Sequence, residues 1–106
     1  MLLCGACSEG RAGGSGDGGA LFVQQGCVTC HGDRGQGSML GPPLLGASAH
    51  WTRDALVAYL CDPQGYAAKD PRLSKQGAKY FQPMPTFKML APQELASLAD
   101  HVLQLP

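Results

Sequence analysis

The sequence predicts an all-α domain: three or more short helices joined by long loops that wrap a bound group. Three observations predict it. Leu95, Leu98, Val102 and Leu105 recur at three- and four-residue steps, with Ala99 among them, which is helical spacing. No run of residues alternates apolar and polar as a half-buried strand would. Fifteen glycines and eight prolines in 106 residues cut the chain into short elements.

The length suits one domain. A chain this small has a marginal core, so a cofactor, metal or disulfide would help it fold. Eight basic and eight acidic residues cancel, and only 15% of residues are charged. That balance gives no hint of nucleic acid as a partner, and none is expected. No segment approaches the roughly 18–20 apolar residues of a membrane span. Membrane contact would therefore need a lipid anchor.

The elements follow in order. Residues 1–18 read as a flexible Gly-rich tail and residues 19–106 as the domain. Residues 8–19, SEGRAGGSGDGG, have too little apolar surface to offset their ordering entropy, which marks a linker. Ahead of them, Gly5-Ala6-Cys7 resembles the end of a lipoprotein signal. Two readings stand for that end: a lipid tether on Cys7 (Cys4 is the second choice), or a plain extension with two incidental thiols. Ala20, Leu21, Phe22 and Val23 open the first helix. It runs to a cysteine pair, with Gly26 just ahead of Cys27. An irregular stretch spans residues 32–50, marked by Gly35, Gly37, Gly41, Pro42, Pro43 and Gly46. The next helix covers residues 51–60, with Thr52 at the N-cap and Asp54 in the first turn. Leu56, Tyr59 and Leu60 share one face, and Asp62-Pro63 ends it. A second irregular stretch runs from residue 64 to about residue 90. The last helix begins at Pro92, a good first-turn residue. Loops of about 20 residues normally count against such a fold. A large flat cofactor would supply the core that they lack.

Cys27-Val28-Thr29-Cys30-His31 points to that cofactor. Cys-x-x-Cys-His is the attachment signature of c-type haem. Two thiols one helical turn apart reach the two vinyl groups on one porphyrin edge, and the adjacent His31 supplies an imidazole to the iron. Other readings compete. A thioredoxin-like pair needs a βαβ setting, which the sequence lacks. A zinc site drawing on Cys61 lacks a second close pair. A plain disulfide leaves His31 without a role. Cys61 closes a helix and reads as a buried residue with no assigned function.

With this motif the chain resembles the class I cytochrome c family, from about residue 19 to residue 105. Phe22 stands where the family has an aromatic residue in its first helix. Gly41-Pro42-Pro43-Leu44 resembles the family's Gly-Pro-x-Leu segment. The resemblance implies that the Pro42 carbonyl accepts a hydrogen bond from His31 and that Leu44 packs on the ring. Pro83-Met84-Pro85 resembles the segment carrying the sixth iron ligand, which would be Met84. Met89 and Met39 are its rivals, with His50 and His101 weaker candidates. Trp51 and Tyr59 are candidates for hydrogen bonds to a haem propionate, the bland reading being core packing. His101 departs from the family, which commonly has an aromatic residue there.

The resemblance implies one haem c and single-electron transfer without an enzymatic reaction. It also implies export to the bacterial periplasm, where haem is attached. Between residues 69 and 88 there are five basic residues (Lys69, Arg72, Lys75, Lys79, Lys88) and one acidic residue, Asp70. That excess suits an acidic docking face on an oxidase, a quinol-oxidising complex or a reductase. The alternatives are weak peroxidase or gas-binding chemistry if Met84 leaves the iron, and a subunit role in a larger redox complex.

Overall fold

The computed structural model describes residues 17–80 and 83–105. The reading of Cys7 as a lipid anchor, and of residues 1–16 as tail, lies outside the described residues. Those described contain six α-helices and no strand.

Helix α1 spans Gly18–Gln24 and buries Leu21 and Phe22. The Asp17 carboxylate accepts from the Ala20 amide at 3.1 Å, satisfying one of the donors that every helix start leaves over. The helix therefore starts inside the glycine run that the sequence reads as linker. The cause is tertiary. A Cβ built on Gly18 would lie 2.1 Å from the Ser97 carbonyl oxygen, so only glycine allows this approach. Gly26, at φ 81°, turns the chain into α2, Cys27–His31.

The stretch after α2 is irregular but tied. Gly37 N donates to the His31 carbonyl at 2.6 Å, and Leu44 N to the Gly35 carbonyl at 2.7 Å. The Ser38 hydroxyl donates to the Cys30 carbonyl at 2.6 Å. A single 3-10 turn, Ala47–Ala49, follows.

Helix α3, Arg53–Cys61, begins at Thr52, whose Oγ1 accepts from Ala55 N at 3.1 Å. Leu56, Leu60 and Cys61 are buried. The chain from residue 64 onward is more helical than the sequence suggested. It contains the end of α4, Pro63–Ala68, and all of α5, Pro71–Gly77. Each begins with an aspartate N-cap followed by proline. Asp62 accepts from Gly65 N at 3.1 Å. Asp70 accepts from Arg72 N at 2.9 Å and from Leu73 N at 3.3 Å.

Helix α6, Pro92–Gln104, carries the core stripe: Leu95, Leu98 and Ala99 are 0% exposed. The Glu94 carboxylate accepts from Ala91 N at 2.9 Å. α6 packs on α1 and on α3. On the outside, Arg53 and Asp100 pair at 2.8 Å across the α3–α6 contact. His101, standing where the resemblance implies an aromatic residue, makes a ring contact with Phe22, 5.2 Å between centroids. Among the described residues, no helix is long and apolar enough to cross a membrane.

Candidate functional site

The helices leave a cavity of about 480 Å³ beside α2, within the range typical of ligand sites. Six parts of the chain line it. α2 contributes Cys27, Cys30 and His31; the following loop contributes Leu40, Gly41 and Pro42; α3 contributes Tyr59. α4 and α5 add Gln64, Ala67, Ser74 and Gln76 among others, and the segment before α6 adds Met84 and Phe87. Among the described residues, no Asp, Glu, Lys or Arg lines it.

α2 fixes the cysteines one helical turn apart, with His31 next to the second. His31 is buried, at 7% exposure. Its Nδ1 lies 2.7 Å from the Pro42 carbonyl oxygen. A carbonyl only accepts, so Nδ1 carries the proton and Nε2 keeps its lone pair. Burial pushes the imidazole pKa below its ordinary value, against the opposing pull of the Pro42 hydrogen bond. Both features give a neutral ring held in one orientation, as a metal-bound histidine requires. Gly41 makes the arrangement reachable: a Cβ there would lie 3.1 Å from the Cys30 carbonyl oxygen. Burial also pushes the Cys27 thiol up to about 11. Tyr59 is raised as well, by burial.

Of the residues singled out in the sequence, Cys27, Cys30, His31, Pro42, Tyr59 and Met84 line this one cavity. Leu44 and Trp51 do not line it. Leu44 lies with Leu105 beside Gly35, where a Cβ would meet Leu105 Cδ1 at 2.7 Å and Leu44 Cβ at 3.5 Å. Trp51 packs against Tyr59 and Tyr66, with centroids 5.2 and 5.6 Å away, and the Arg72 guanidinium lies 5.5 Å over its ring. Among the described methionines only Met84 lines the cavity. Met39 is 92% exposed and Met89 69%.

The α4 and α5 wall was not legible as part of the site. Its signal was the repeated Asp-Pro at residues 62–63 and 70–71, which starts both helices.

The donor set suits a flat metal macrocycle. It combines two thiols at vinyl-reaching spacing, an oriented neutral imidazole and a thioether in one largely apolar space. The zinc reading finds no support, since no three His, Cys, Asp or Glu side chains cluster among the described residues. The thioredoxin reading finds no strand among them.

A family model described as Cytochrome c matches residues 15–106. Comparison with curated proteins and with solved structures gave no match. Motif, cavity and family match agree, and the chain belongs to the cytochrome c family, whose members carry covalently attached haem c and transfer electrons.

Proposed function

We propose that the chain is a monohaem single-electron carrier in which His31 and Met84 are the axial iron ligands. The observation that carries the reading is that His31 and Met84 line the same cavity as the attachment cysteines. When bound, the haem supplies an iron that gains and loses one electron. Cys27 and Cys30 hold the group by thioether bonds, which suits a wall built from short segments. His31 offers Nε2, with Pro42 fixing the ring. Met84 offers a soft, neutral sulfur, which favours the reduced metal and raises the potential. With both axial positions filled there is no open site for a substrate.

Lys69, Arg72, Lys75, Lys79 and Lys88 are all exposed, and α5 contributes both basic residues and cavity lining. This supports docking on an acidic face of an oxidase, a quinol-oxidising complex or a reductase. The bacterial periplasm, where haem is attached, is the proposed location.

The test is an optical spectrum of the haem-loaded protein, oxidised and then reduced, with carbon monoxide added last. A low-spin c-type spectrum is expected, with a weak red methionine-to-iron band and no carbon monoxide response. Met84→Ala should abolish the red band and bind carbon monoxide at once. A wild-type protein that is high-spin or binds the gas directly would replace electron carriage with gas-binding or peroxidase chemistry.

A further inference from the structure

Among the described residues, the segment carrying Met84 is tied to the end of α3. Thr86 Oγ1 donates to the Cys61 carbonyl and accepts from Lys88 N at 3.2 Å. Phe87 N donates to the Leu60 carbonyl at 2.9 Å, and the Phe87 ring is buried. Leu60 and Cys61 are the last two residues of α3. Carbonyls in a final helical turn have no partner within their own helix. The Met84 segment supplies those partners, and α3 in return fixes the segment.

Pro85 stands between Met84 and Thr86. Its ring locks φ and it has no N–H to donate. The first hydrogen bond on the C-terminal side of Met84 is therefore made by the Thr86 hydroxyl. With only a stiff proline between, a tether at Thr86 restricts where the Met84 backbone can go. α3 also supplies Tyr59 to the cavity wall, so the tether joins the methionine to an element already part of the site.

We infer that Thr86 is a positioning residue for the sixth ligand: its hydroxyl bond to Cys61 holds Met84 on the iron and lowers the fraction of molecules in which the sulfur has let go. This rests on the proposed His31/Met84 ligation. An outside ligand competes for the iron only while Met84 is off. Its apparent affinity therefore scales with that fraction.

The experiment titrates the oxidised, haem-loaded protein with imidazole and follows loss of the red methionine-to-iron band. Thermal unfolding of the same samples is recorded alongside. Thr86→Val keeps the shape and removes the hydroxyl. It should bind imidazole roughly two- to tenfold more tightly than wild type, the range given by one neutral hydrogen bond. Thr86→Ser restores the hydroxyl and should bind as wild type does. If Thr86→Val yields no holoprotein, Thr86→Ala is read in the same way. Unchanged imidazole affinity in the hydroxyl-free variant overturns the inference, even if it melts earlier, because the hydroxyl would then serve stability alone. A serine variant that behaves like valine also overturns it. A wild-type protein without the red band sinks Met84 ligation itself and this inference with it. That result is distinct from an intact band and an indifferent Thr86.

Discussion

Gly18 and Gly77 are both helical glycines, and the structure separates their roles. A Cβ on Gly18 would press against the Ser97 carbonyl oxygen at 2.1 Å and His101 Cβ at 2.7 Å, whereas one on Gly77 would meet nothing within 4 Å. Alanine is the better helix former by roughly 0.5–1 kcal/mol. Gly77 lines the cavity, so the open space beside it is that of the bound group. At Gly18 the gain from alanine is outweighed by overpacking of about 1–3 kcal/mol. Gly18→Ala should therefore cost about 1–2 kcal/mol and lower Tm by about 5–10 °C for a domain of this size, read by thermal unfolding of the haem-loaded protein. This role was invisible in the sequence, where Gly18 sits in a glycine run with the texture of a linker. Cys27, Cys30 and His31 were legible because attachment chemistry dictates their spacing. Pro42 and Met84 were legible only through the resemblance, since neither residue type announces a ligand by itself. Leu44 and Trp51, also expected from the resemblance, lie outside the cavity lining.

At the scale of elements, the long helices announce themselves and the short ones do not. α6 has a repeating apolar stripe, and α3 has a threonine cap and a proline stop. α4 and α5 span only six and seven residues, too few for periodicity to emerge. Their glycines and prolines read as loop. What starts them is capping: an aspartate whose carboxylate meets the first free amides, then a proline whose missing N–H costs nothing there. Asp70→Ala should remove this support and destabilise the protein by about 1 kcal/mol. Asp70→Asn should retain most of it, because asparagine caps as well. Chemical denaturation of both variants checks the ranking. The Arg53–Asp100 pair should matter much less. It is solvent-exposed, so Asp100→Asn should change stability little, and any difference should fade with salt.

For the whole molecule, neutrality conceals an uneven surface. Between residues 69 and 88 five basic residues, four of them on or next to α5, stand against Asp70 alone, and Asp70 is occupied in capping. If this face steers docking, replacing Lys75 and Lys79 by glutamate should slow electron transfer to an acidic partner and remove or reverse its fall with added salt. Unchanged salt dependence in stopped-flow measurements would end the steering idea. The uncharged lining has another consequence. Under the proposed attachment and ligation by Cys27, Cys30 and His31, the titratable lining residues that remain are Tyr59 and Tyr80; a phenol is already protonated at neutral pH, and burial pushes Tyr59 further that way. No side chain of the wall is poised to take up hydrogen ions near neutrality when the iron gains charge. Reduction should thus proceed without proton uptake by the wall. The midpoint potential between about pH 6 and 8 should stay nearly level, against the roughly 59 mV per pH unit of a carrier that moves one proton with each electron.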